Sequence, residues 1–303
     1  MEILRSYREG PVPAPPSVVT IGNFDGVHAG HVEILRRLVA RARRDKLRAT
    51  VLTFDPHPLV VLAREAAPGL IMPIWRRCTR IEELGVDAIL VQPFDAAFAA
   101  LDPSSFVEDV LRGGLGARVV VVGAGFRFGA GRAGEIDALS RGDFGPMDVE
   151  VVPPVLQSGE PVSSSRIRAA LQRGDIEQAT ALLGRPYELI GRVVRGDGRG
   201  RLLGFPTANL RAENGVLPAD GVYAGVTQEG RAAVVNIGVR PTFGAGRAVE
   251  VHVIDFSGNL YDRTLGLAIL ARVRDERKFS SAAELEAQIK QDVARARQIV
   301  GGT

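Results

Sequence analysis

The hydrophobic pattern of the chain changes period once, near Gly184–Pro186, and this constrains the fold more than any single motif. Before it, short β-branched runs alternate with helical stripes. "SVVTIG" (17–22), "ATVLTF" (49–54), "DAILVQPF" (87–94) and "ARVVVVG" (117–123) read as buried strands. After the first of them, Val32, Leu35, Leu38, Val39 and Ala42 share one helical face, with arginines opposite. "DPSSFVEDVLRGGLG" (102–116) opens on capping residues and closes on glycine, as a helix does. Strands alternating with helices predict a parallel sheet covered by helices on both faces. Beyond Pro186 the runs are short and separated by glycine turns: "YELIGRVV", "GVYAGVT", "RAAVVNIG", "VEVHVIDF", "LGLAILARV". That pattern predicts a small antiparallel barrel. It ends in a helix, with Ser281 and Glu284 as a capping box and Leu285, Ile289 and Val293 as the apolar stripe. The expected class is therefore α/β followed by β, with domains spanning 1–185 and 186–303.

Composition narrows the function classes. No apolar run reaches the roughly 18 residues of a membrane span, and "MEILRSYREGPVPAPPS" lacks the apolar core of a signal peptide. A cytoplasmic protein with no membrane partner is expected. The single cysteine, Cys78, can form no internal disulfide and reads as a small buried thiol. The formal net charge is +3 with no basic cluster, which gives nucleic-acid binding little support and suits anionic small molecules. The oligomeric state is left open.

Two of the four histidines, His28 and His31, lie in "TIGNFDGVHAGH", between the first strand and its helix. Ligands of open α/β sheets bind at the carboxyl ends of the strands. A helix N-terminus there offers free backbone N–H groups and a partial positive charge. Gly26 and Gly30 allow close backbone approach. Two imidazoles three residues apart can face the same way and bind phosphate oxygens. A zinc site is the competing reading; its only further ligand is His57. Downstream, "VSSSRIR" (162–168) sets hydroxyls before guanidinium groups at a helix start, a phosphate-donor pattern as well as an ordinary N-cap.

In the second half, "GRVVRGDGRGRLLGFPTANL" (191–210) reads as a glycine–arginine flap at Gly196, Gly198 and Gly200, suited to closing over phosphates. Thr207 and Asn209, two apart on a strand, face one way and are hard oxygen ligands suited to Mg²⁺. In "AVEVHVIDF" the valines alternate with Glu250 and His252. This is a half-exposed strand on pattern alone, and Glu250 is also a candidate general base.

"GNFDGVHAGH", "TFDPHP" (53–58) and "VSSSRIR", followed by "GRGRLLGFPTANL", "GVYAG", "NIGVRPTFG", "VEVHVIDF" and "RDERKF", resemble the bacterial bifunctional riboflavin kinase/FAD synthetase family over roughly residues 17–299. The resemblance implies a Rossmann-like nucleotidylyltransferase domain and a riboflavin-kinase barrel. It implies ATP-dependent phosphorylation of riboflavin to FMN, then AMP transfer from ATP to FMN, with Mg²⁺. His28 and His31 would hold the triphosphate, with Gly22, Asn23, Asp25, Gly26 and Gly30 in the same pocket. Ser164, Arg166 and Arg168 would bind phosphates. Phe54, Pro56, His57, Pro58, Phe126, Arg127 and Phe128, and in the barrel Arg274 and Glu276, would meet the flavin. Thr207 and Asn209 would hold Mg–ATP and Glu250 would be the base. The chain departs from the family pattern at Gly125, where Asp or Asn is usual, and in "LIMPIWRRCTRIEELGVD" (70–87), where the family has a T-x-x-E-K helix. Gly125 keeps in view a riboflavin kinase with an impaired or regulatory N-terminal domain; a further alternative, independent of Gly125, is a non-enzymatic flavin or nucleotide sensor that keeps both folds.

Overall fold

A computed structural model describes residues 1–11, 13–195, 204–239 and 247–302. The chain divides into two compact units. One comprises Met1–Pro68 and Ile74–Val162; the other comprises Gly69–Pro73 and Ser163–Thr303.

The first unit is built on a six-stranded sheet, parallel throughout. Its order is Glu2–Leu4, Ala88–Pro93, Arg48–Asp55, Ser17–Ile21, Ala117–Gly123, Asp148–Val152. Every residue of Ser17–Ile21 is buried, as expected of a strand covered on both faces. On one face lies the helix Ala29–Asp45, which buries Leu35, Leu38 and Ala42; Val32 and Val39 of the expected stripe are half-buried. On the other face, Val19, Ile21, Leu52, Leu90, Val120 and Val122 pack against Phe106, Val107, Val110 and Leu111. Those four belong to a π-helical segment, Phe106–Gly114, which continues a helical turn capped by Asp102. The two outermost strands were not expected from the sequence. Glu2–Leu4 is only three residues long, and Asp148–Val152 mixes acids and valines without a buried alternation.

The second unit is a closed six-stranded antiparallel barrel in the order Tyr187–Val194, Ala208–Ala212, Arg247–Val253, Ala232–Val239, Gly221–Thr227, Thr264–Arg274. Val193, Leu210, Val249 and Ile237 are directly cross-strand to one another and fill the interior. On the outside, Val222, Ala224 and Val234 meet Ala296, Val293 and Ile299 of the C-terminal helix Ala282–Gly301. Ser281 caps that helix, accepting Glu284 N–H at 3.2 Å, but Glu284 bonds Ser280 in return. Its deepest residues are Asp292 and Ala296, whereas Leu285, Ile289 and Val293 are half-buried, because the helix lies on the barrel's outer wall and not in a core.

The helices Ser164–Arg173 and Ile176–Leu183 group with the barrel, the second packing on strands Tyr187–Val194 and Thr264–Arg274. The short segment Gly69–Pro73 also groups with it: Asn214 donates to Ile71 O at 2.7 Å, and the N–H groups of Gly215 and Val216 donate to Leu70 O. Among the described residues no helix is long and apolar enough to cross a membrane.

Candidate active sites

Strand order in the first sheet reverses beside Ser17–Ile21: the next two strands extend to one side, and Ala117–Gly123 lies on the other. A crevice is expected there, at the carboxyl ends. A cavity of about 440 Å³ occupies that end of the sheet. Gly22 and Asn23 enter it from the loop after Ile21, and Phe54, His57 and Pro58 from the end of the next strand. Gly125, Phe126, Arg127 and Phe128 enter from the loop after Gly123. Phe94, Phe98 and Phe106 complete an aromatic wall in which neighbouring rings lie 5.5–6.3 Å apart, mostly edge to face or tilted. Pro56, joined to Asp55 by a cis peptide, is next to this lining but not part of it. A Cβ built on Gly125 meets nothing within 4 Å, so the cavity is open on that side.

His57 is held at both ring nitrogens. Its Nδ1 accepts Leu59 N–H at 3.2 Å, capping the short helix Pro58–Leu62, and its Nε2 lies 3.1 Å from the Asn23 carboxamide.

The loop that carries the histidine pair is bent against ordinary backbone preference. Phe24 has φ 49°, Gly26 φ 86° and Val27 φ 38°. For a bulky aromatic and a β-branched residue that region costs on the order of 1–3 kcal/mol each and persists only where surroundings enforce it. Here Phe24 and Val27 are 1% and 2% exposed. The loop delivers His28 as N-cap of Ala29–Asp45, its Nδ1 accepting His31 N–H at 3.3 Å. The two imidazoles stack 3.6 Å apart at 17°, and Phe24 meets His31 edge-on at 5.1 Å. Gly30 lets the His28 ring sit close: a Cβ there would lie 3.2 Å from it, so the ring would have to shift by a few tenths of an ångström. Stacked faces do not converge their nitrogen lone pairs on one point, which disfavours the zinc reading.

Asp25 is 1% exposed, and its carboxylate lies 3.8 Å from Arg77, itself 2% exposed. Sequence reasoning missed Arg77. The signal was present: Ile74, Arg77, Cys78 and Ile81 follow helical spacing on Ile74–Glu82, and an arginine inside an apolar stripe needs a partner. Cys78 is buried, and burial pushes its thiol up.

In the second unit, Ser163 and not Ser164 caps its helix, accepting Arg166 N–H at 3.3 Å. Ser164 and Arg166 stand on the first turn. Arg168 donates from Nε to Gly69 O at 2.9 Å.

On the barrel, Asn209 is directly cross-strand to Glu250, and Glu250 to Asn236. Direct partners point to the same side, with Cβ atoms about 5 Å apart. The three therefore form one polar row on the outer wall, in which Asn209 is buried and Glu250 and Asn236 are half-buried. Asn236, a lone amide in an apolar run, was not singled out from the sequence. The row continues through Val222 to Arg274. Arg274 is gripped by Asp292 of the C-terminal helix (Nε to Oδ1 3.0 Å, Nη2 to Oδ2 2.9 Å), and its guanidinium lies 5.6 Å from the Phe279 ring centre. The Glu276 carboxylate lies where a Cβ on Gly238 would fall. Thr207 precedes the Asn209 strand, and its neighbours are anchored: His252 bonds Pro206 O at 2.9 Å and meets Phe205 edge-on. Gly196, Gly198 and Gly200 lie outside the described residues, as does the "RPTFGAG" end of the motif after Val239.

Among the described residues no group of three or more His, Cys, Asp or Glu could hold a metal ion. A hydroxyl, an amide oxygen and one neighbouring carboxylate instead suit a small hard cation that arrives with phosphate oxygens. The residues present fit Mg²⁺ in that form.

Comparison with known proteins agrees with this division. Residues 12–166 match a family model described as FAD synthetase, and residues 183–300 one described as riboflavin kinase. A bifunctional riboflavin kinase/FMN adenylyltransferase of Escherichia coli (strain K12) is 37% identical over 311 residues, covering 100% of this chain and 99% of the relative. Proteins of the same name from Pseudomonas fluorescens and Bacillus subtilis (strain 168) are 40% and 38% identical. They cover 93% and 91% of this chain, and 92% and 90% of their own lengths. The crystal structure of a protein named macrolide-efflux protein, from Streptococcus pneumoniae, superposes with a TM-score of 0.85 at 32% identity, over 97% of this chain and 98% of that one.

Proposed function

The chain belongs to the bifunctional riboflavin kinase/FMN adenylyltransferase family, and from that premise we propose how its residues divide the two reactions. The protein phosphorylates riboflavin to FMN with ATP, then joins FMN to AMP from a second ATP, giving FAD and pyrophosphate. We assign the first reaction to residues 186–303 and the second to residues 1–185, in the cytoplasm.

In the kinase reaction Glu250 takes the proton of the riboflavin primary hydroxyl as its oxygen attacks the γ-phosphorus of ATP and ADP departs. Asn236 and Asn209 flank Glu250 in register and orient the reacting groups. Thr207 and Asn209 would hold Mg²⁺, which neutralises phosphate charge when bound. The Arg274–Asp292 pair fixes the C-terminal helix beside this row.

In the adenylyl transfer a phosphate oxygen of FMN attacks the α-phosphorus of ATP and pyrophosphate leaves. The nucleophile is already anionic, so the protein's work is alignment and charge stabilisation. The aromatic cavity receives the flavin ring, and the helix N-terminus with His28 and His31 receives the polyphosphate. The observation that carries this reading is the cavity of about 440 Å³ whose lining runs, through Asn23, directly into the histidine loop.

The test is incubation of the purified protein with riboflavin, ATP and Mg²⁺, with chromatographic separation of flavins over time. FMN followed by FAD is expected. FMN alone would revive the kinase with an impaired first domain; no turnover of riboflavin or added FMN would revive the sensor.

A further inference from the structure

Arg77, buried against Asp25, stands apart from the groups given roles above. Arg77 reaches two points of the histidine loop. Its Nη2 faces Asp25 at 3.8 Å, and its Nη1 lies 3.5 Å from Thr53 Oγ1, which itself donates to Asn23 O at 3.2 Å. The guanidinium thus braces the loop on both sides of Phe24, the first of the positive-φ residues that deliver His28 and His31. Arg77 and Thr53 are 2% and 0% exposed, so water cannot substitute for either contact. A buried carboxylate without its cation is strongly disfavoured, and the loop would relax to relieve it.

We infer that Arg77 is a positioning residue for adenylyl transfer: from the helix Ile74–Glu82 it holds the strained loop so that the His28–His31 stack meets the polyphosphate of ATP. This rests on the assignment of those histidines to adenylyl transfer. It acts through Asp25 and Thr53 and touches no reacting atom. Arg77, Asp25 and Thr53 are not in the lining of the cavity that takes the flavin, and Thr53 holds Asn23 by its backbone carbonyl alone, so the main effect belongs in turnover and not in FMN affinity.

The test uses the full chain, with riboflavin phosphorylation as an internal measure of folding. Arg77→Met is expected to lower kcat for FAD formation at least about 30-fold, leaving KM for FMN and the rate of FMN formation within about 2-fold. Arg77→Lys, which keeps a cation, is expected to stay within about 5-fold of the wild type. FAD formation within about 3-fold of wild type in Arg77→Met overturns the inference, as does a rise in KM for FMN with kcat unchanged. If Arg77→Met lowers both activities together, Arg77→Gln, which keeps more polar character, is judged by the same two criteria. His28→Ala/His31→Ala runs alongside. Should that variant keep FAD formation, the histidine assignment itself fails; should it lose FAD formation while Arg77→Met keeps it, only the role of Arg77 fails.

Discussion

The imidazole rings of His28 and His31 lie face to face, 3.6 Å between centres and 17° from parallel. The backbone N–H of His31 points at the Nδ1 of His28, so ring stacking and helix capping are one arrangement. In the proposed reaction a polyanion at this helix end would meet the edges of both rings together with the positive end of the helix. Replacing both rings, His28→Ala/His31→Ala, is expected to cut FAD formation from supplied FMN by at least about 100-fold. FMN formation by the barrel should be unchanged. Comparing the two rates in one preparation checks this, and surviving FAD synthesis would remove the histidines from the mechanism.

Glu250 sits between Asn209 and Asn236 in strict cross-strand register. Glu250→Gln keeps the shape and removes the carboxylate proposed as the base. Riboflavin phosphorylation should fall by about 10²–10⁴-fold. FAD formation from added FMN should persist, measured by separating the flavins after each incubation.

Gly125 lines the aromatic cavity and has open space where a side chain would start, with no left-handed backbone to forbid one. Gly125→Asn is therefore expected to fold as the wild type does and to bind FMN more tightly, read as a lower KM in FAD formation. An unchanged KM would mean that the glycine is neutral to this reaction.

Glu33 lies on the exposed side of the first long helix, where Arg36 and Arg37 donate to its carboxylate at 2.9 and 2.8 Å. Those bonds hold its carboxyl at about 2 instead of 4.5. A depressed folded value means the stabilisation is fully present above the unfolded value and is lost as pH falls. Partial exposure limits it to about 1 kcal/mol. Glu33→Gln should unfold at lower urea at pH 7, and its gap to wild type should narrow as pH drops from 4.5 toward 2. Fluorescence of Trp75, the only tryptophan and in the same unit, follows the transition. A gap independent of pH would point to another cause.

Periodicity carried much of the architecture. The four apolar runs of the first half became central parallel strands because each is long enough to be buried on both faces. Val249, Val251 and Val253 turned inward and left Glu250 and His252 half-exposed, as alternation requires. Edge strands were harder to read. Glu2–Leu4 has too few residues to show a period, and its pairing with Ala88–Leu90 comes from far along the chain.

The types and spacing of the residues therefore determined the two fold classes, the histidine pair at a helix head and the Thr207–Asn209 and Glu250 set. These are local properties: capping chemistry, side-chain period and donor type act within a few residues. Tertiary structure decided what depends on contacts between distant segments. It gathered Asn23, His57 and Gly125–Phe128 around one cavity, set Asn236 beside Glu250, and turned Arg274 toward Asp292. It also buried Arg77 against Asp25, 52 positions earlier in the sequence, and drove Phe24 and Val27 into a backbone region neither prefers alone. No local preference encodes such an arrangement, because its cost is met only by burial and charge pairing that exist once the sheet has closed around the loop.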